Sequence, residues 1–148
     1  MNRIQRLEQA AKFAAEQEKK AASALTTSAL RLEQAQAQLE VLRRFRSEYL
    51  VRLNRGESSL SAGQLLELRA FLNRISCAIE EQETLLGKLR QEHAALQAAW
   101  QQACCRRRGI EKVQAGWLYR ERLAAEQKLQ RELDDRAAAR RKMGQVEK

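Results

Sequence analysis

His93 is the only histidine in the chain, and a lone imidazole can serve as a general base, a metal ligand or a packed polar residue. It falls in an apolar row at helical spacing, Leu86, Leu89, His93, Leu96 and Trp100, so it reads as a packed or interface residue. No second histidine exists to complete a metal pair. Cys77, Cys104 and Cys105 form no C-x-x-C pair. Neighbouring helical residues point about 100° apart, so Cys104 and Cys105 neither bridge each other nor share a tetrahedral metal. All three read as reduced thiols. The carboxylates scatter at helical spacing, as solvated faces and i,i+4 partners do. There is no P-loop, dinucleotide-binding glycine motif or nucleophile elbow. No catalytic residue, metal or cofactor is expected, and the chain reads as a non-enzyme.

The net charge of +9 raises a second kind of chemistry, attraction to nucleic acid, an anionic membrane surface or an acidic partner. The basic runs are Arg106-Arg107-Arg108 and Arg140-Arg141-Lys142. Three consecutive charges spread around a helix rather than lining one groove, and no aromatic platform is interleaved with them. No nucleic acid is expected as a partner. No segment approaches the roughly 18 apolar residues of a membrane span. The charged N-terminus, MNRIQRLEQAAKFAAEQEKK, lacks the apolar core of a signal peptide. A cytoplasmic protein is expected.

The elements that must position these residues are helices. The chain has 148 residues, no proline and 5% aromatics, and Ala, Leu, Gln, Glu, Arg and Lys dominate it, the signature of a long helix or coiled coil. One stretch should stop a helix, residues 52–64 (RLNRGESSLSAGQ), with Gly56, Gly63 and a serine cluster. Gly56 suits a left-handed C-cap. Ser61-Ala62-Gly63-Gln64 has the form of a capping box, with Ser58 or Ser59 as alternative caps. The expected organisation is one antiparallel hairpin, with helix 1 over about 2–54, a turn over about 55–61 and helix 2 over about 62–143.

Helix 1 carries a stripe stepping alternately by three and four: Ile4, Leu7, Ala11, Ala14, Glu18, Ala21, Leu25, Ser28, Leu32, Ala35, Leu39, Leu42, Arg46, Tyr49 and Leu53. All but Glu18, Ser28 and Arg46 are apolar or aromatic, a heptad repeat that predicts a coiled coil. Its alanine-rich first half buries little area, so the turn-proximal half should pack more strongly. Helix 2 carries Leu65, Leu68, Leu72, Ile75, Ile79, Leu86, Leu89, His93, Leu96, Trp100, Ala103, Ile110, Val113 and Trp117, interrupted by Gln82 and Arg107. Beyond Trp117 the stripe blurs. Reversal near residue 57 would set position i opposite about 114 − i, leaving about 30 C-terminal residues of helix 2 unpartnered. Such an overhang, at the end that bears both termini, invites another protein.

Off the stripe, Phe45 lies one place from the slot at Arg46, and Phe71 lies beside Leu72. In that register Phe45 and Phe71 fall at similar heights. With Tyr49 they form an aromatic group that either widens the seam or offers a partner patch.

The run QLEVLRRFRSEYLVRLNRG, then RAFLNRISCAIEEQ and LQAAWQQACCRRR, resembles FliJ, the coiled-coil component of the flagellar type III export apparatus, and the resemblance covers essentially the whole chain. It implies an antiparallel two-helix coiled coil similar to the rotor γ-subunit of rotary ATPases. The end with both termini would insert into a hexameric export ATPase, and the protein would contact the integral-membrane export-gate protein and cycle export chaperones. The family's gate contact maps to Gln38, Leu42, Phe45, Tyr49, Phe71, Ile75, Ala78 and Gln82. Gln82 stands where relatives often carry histidine, and Phe45 where tyrosine is common. Together with the overhang and the basic excess, the resemblance places ATPase contacts at Ile4, Leu7, Trp117, Arg120, Leu123, Leu129 and Leu133. It implies a non-enzymatic stalk of the export ATPase complex, monomeric and peripheral at the cytoplasmic face of the inner membrane. The alternatives are the stalk of a virulence-type injectisome and a generic coiled-coil scaffold.

Overall fold

A computed structural model describes residues 2–55 and 60–146. Two helices make up the fold, α1 (Arg3–Asn54) and α2 (Ala62–Val146), and no strand occurs among the described residues. They form an all-α helical hairpin, as the two stripes predict. Each helix starts on a capping box. At α2, the Ser61 N–H donates to Gln64 Oε1 at 3.0 Å and the Gln64 N–H to Ser61 Oγ at 3.3 Å. At α1, the Asn2 N–H donates to Gln5 Oε1 at 3.2 Å and the Gln5 N–H to Asn2 Oδ1 at 2.9 Å. Both satisfy N–H groups that the first turn leaves without helical partners. The expected cap at Gly56 and the alternatives Ser58 and Ser59 lie outside the described residues.

The chain divides into two compact units. In Lys19–Gln102, Ala35, Leu39, Ile75, Ile79 and Leu86 form a buried cluster, with Leu32, Leu42, Tyr49 and Leu89 packed against it. In Met1–Glu18 with Ala103–Lys148, Ala14 and Cys104 are buried, and Ile4, Leu7, Ala11, Ile110 and Trp117 are half-buried. The two buried side chains of this second seam are small and its larger ones are only half-buried, so it removes less apolar area from water than the leucine and isoleucine cluster does.

Of the α1 stripe, only Arg46 is exposed. The polar members Ser28 and Glu18 are drawn into the seam, Ser28 at 7% exposure. On α2 one expected seam residue is displaced. Val113 is 51% exposed, and Gln114 takes the half-buried place between Ile110 and Trp117. Steps of three, four and three from Arg107 reach Ile110, Gln114 and Trp117, so the heptad continues through a polar side chain and passes the apolar one by.

The register also differs from the symmetric expectation. Tyr49 meets Phe71, Ser28 meets His93, and Gln38 meets Gln82. Each α1 residue faces a partner about one heptad further along α2 than a reversal at residue 57 would place it. Phe45 and Phe71 therefore do not share a height; the partner of Phe71 is Tyr49. A buried polar group without a partner costs more than a made hydrogen bond gains, and the observed register pairs Ser28 with His93.

Candidate partner-binding surfaces

In the Lys19–Gln102 unit, helical spacing puts Gln38, Leu42, Phe45 and Tyr49 along one face of α1 and Phe71, Ile75, Ala78 and Gln82 along one face of α2. The Tyr49 and Phe71 rings meet edge to face, with centroids 4.9 Å apart and planes at 75°. Arg52 sits over the Tyr49 ring, its Cζ 5.4 Å from the centroid. Gln82 Nε2 donates to the Ala35 carbonyl at 3.0 Å and to Gln38 Oε1 at 3.2 Å, which ties the two helices at the other edge of the group. Ile75 belongs to the buried cluster, and Leu42 and Tyr49 pack against it. Ala78 is half-buried. The side chains left open to solvent are Phe45, 49% exposed, Phe71, 37% exposed, and Gln38.

The group is thus a layered surface, with Ile75 beneath, Tyr49, Leu42 and Ala78 at the middle, and Phe45 and Phe71 outermost. A ring fixed on a packed helix loses little conformational entropy on docking, which makes it a good anchor. Val41 and Ala37 extend the surface. With Gln38, Leu42 and Gln82 they line a shallow, open groove. Sequence reasoning passed Val41 over because it lies off the stripe; its place four residues before Phe45 on the outer face was the available signal.

The Met1–Glu18 and Ala103–Lys148 unit holds a different arrangement. Glu18 and Arg107, each an interruption of its stripe, form an ion pair, and Arg107 Nη1 also donates to Glu111 Oε2 at 2.8 Å. These bonds, that to Glu18 first and that to Glu111 second, raise the Arg107 guanidinium above its ordinary pKa against the opposing effect of desolvation. An arginine so raised stays charged throughout the range in which proteins fold. Nearer the chain ends, Ile4 and Leu7 are half-buried and Trp117 is the last half-buried residue of the seam. Every described residue from 118 to 146 is exposed, with Leu123, Leu129 and Leu133 at 39%, 57% and 49%. Arg120 is exposed beside the Trp117 ring. Arg120 therefore stands beside Trp117 at the last half-buried place of the seam, whereas Leu123, Leu129 and Leu133 stand on bare helix.

No group of histidine, cysteine and carboxylate side chains suited to a metal occurs among the described residues. Cys77, Cys104 and Cys105 are free thiols, and no helix among the described residues is long and apolar enough to cross a membrane. His93 Nδ1 lies 3.2 Å from Ser28 Oγ inside the seam, occupied as a packing residue.

The fold defines an all-α coiled-coil hairpin protein. The chain matches the family model described as flagellar FliJ protein over residues 3–145, nearly its whole length, and it belongs to that family. It is accordingly a component of the flagellar export apparatus, in a family of non-catalytic export components. No curated protein and no solved structure matches the chain significantly.

Proposed function

We propose that the protein is the stalk of the flagellar type III export ATPase complex. Ile4, Leu7, Trp117, Arg120 and the helix bearing Leu123, Leu129 and Leu133 engage the hexameric export ATPase. Gln38, Leu42, Phe45, Tyr49, Phe71, Ala78 and Gln82, supported by Ile75, engage the integral-membrane export-gate protein. The same stalk cycles export chaperones, and the monomer works at the cytoplasmic face of the inner membrane. The observation that carries the reading is the run of helix from residue 118 to residue 146, every residue of which is exposed, in a member of the FliJ family. A helix without a packed face gains most of its stability only when something covers it, and four exposed leucines there, Leu118, Leu123, Leu129 and Leu133, supply apolar contacts.

The test is deletion of residues 125–148. The shortened protein should lose stimulation of export ATPase assembly while its circular dichroism still reports the seam of the Lys19–Gln102 unit. Full stimulation by the shortened protein would end the proposal.

A further inference from the structure

At the last layer of the Met1–Glu18 and Ala103–Lys148 unit, two guanidiniums lie against the Trp117 ring. Arg3 Cζ is 4.3 Å from the ring centroid and Arg120 Cζ is 5.7 Å from it. Each contact is favourable alone, because the indole face attracts cations. Together they hold two like charges at one ring, and the described ion pairs do not neutralise either one. Their own helices offer no remedy. Three and four residues from Arg3 stand Arg6 and Leu7, and around Arg120 stand Gly116, Trp117, Leu123 and Ala124, so no acid occupies a position from which helical geometry would let it pair. Elsewhere in the same unit the helix does supply such partners, as Glu111 does for Arg107. Charge in this unit is also one-sided. Residues 103–146 contain twelve lysines and arginines against six acids.

We infer that the Arg3–Trp117–Arg120 cluster is a docking clamp for an acidic segment of a partner protein, whose carboxylates engage the two guanidiniums beside the ring. The chemistry fits a carboxylate for a geometric reason. Arginine presents a planar fork of donors that matches a carboxylate, and the stacked indole orients that fork before the partner arrives. Both arginines are exposed, so the clamp can be reached without disturbing the seam. This inference rests on the reading of the unit as the ATPase-binding one, and it names the chemistry of the ATPase surface at that point: acidic side chains on the wall of the ring.

The experiment compares the full-length wild type with the double variant Arg3→Gln and Arg120→Gln, and with the double variant Lys88→Gln and Arg90→Gln as a control of equal charge loss at exposed places in the Lys19–Gln102 unit. Binding to the purified export ATPase is measured across a salt series. The wild type should bind with a marked salt dependence, and the double variant should bind about tenfold or more weakly with a shallower dependence. The control should stay within about twofold of the wild type. Unchanged affinity and salt dependence in the double variant overturns the clamp while leaving the ATPase assignment standing. No binding by the wild type overturns the ATPase assignment and the clamp with it. Equal loss in the control shows a diffuse basic surface and overturns the clamp. Loss of duplex DNA binding in the double variant, with ATPase binding kept, does the same.

Discussion

Glu18 of α1 and Arg107 of α2, each a charged interruption in an otherwise apolar heptad row, are ion-paired with each other. Ser28 and His93 repeat the relationship in the other unit, at 3.2 Å. Two of the three polar breaks in the α1 stripe thus meet polar partners inside the seam, while the third, Arg46, is exposed. Removing one partner of a shielded pair leaves the other charge uncompensated, whereas removing both can be neutral or stabilising.

Arg107→Leu alone should thus lower the melting temperature, and Glu18→Leu should lower it less, because Arg107 keeps Glu111 as a partner. The double variant Glu18→Leu with Arg107→Leu should melt at or above the wild type. Thermal melts followed by circular dichroism decide this. A double variant less stable than both single ones would mean that the pair is a net source of stability rather than a matched break.

The strength of the two seams should differ as their side chains do. Leu39→Ala in the buried cluster should cost about 2–4 kcal/mol, as truncation of a buried leucine does. Leu7→Ala, at a half-buried place among small residues, should cost less than half of that value. Chemical denaturation at fixed temperature gives both numbers, and equal costs would show that the alanine-rich seam packs as tightly as the leucine-rich one.

Gly87 offers a gain. It lies within α2, and a Cβ added there would meet nothing within 4 Å. Gly87→Ala should raise stability by about 0.5–1 kcal/mol through backbone entropy and helix propensity. A fall in stability would reveal a neighbour that the fold does not place there.

Phe71→Ala separates anchor from core. Phe71 is 37% exposed and touches Tyr49 edge to face, so its loss should lower stability by about 1 kcal/mol through the ring pair. Loss of an anchor at an interface centre commonly costs about 2 kcal/mol or more. Export-gate binding should therefore fall further than stability does. A binding loss no larger than the stability loss would make Phe71 a structural residue and move the gate contact elsewhere.

What could be read from the chain, and what could not, divides along the range of the forces involved. The stripes, the hairpin and the Ser61–Gln64 cap are local patterns of period or short motif, and apart from Val113 they stand as read. The Asn2–Gln5 cap was legible too, because asparagine caps a helix as serine does. Gln114 in place of Val113 was legible only by keeping the heptad count against the pull of an apolar side chain. The register was not legible from the turn, since a loop need not be symmetric about its midpoint. It is set by which seam residues can satisfy one another, and the matched interruptions Ser28 and His93 held that information. In the aromatic group, spacing alone could not separate the buried Ile75 from the exposed Phe71, because both lie on neighbouring rows of one helix and only the packing of α1 decides which is covered.

The central claim is that two separate surfaces of one export component serve two partners. Its most direct test measures the binding of three proteins, the wild type, the deletion of residues 125–148 and Phe71→Ala, to both the export ATPase and the export-gate protein. The account predicts a crossed result: the deletion loses the ATPase and keeps the gate, while Phe71→Ala loses the gate and keeps the ATPase. If either change weakens both partners equally, or if each weakens the partner assigned to the other, the division of labour is contradicted.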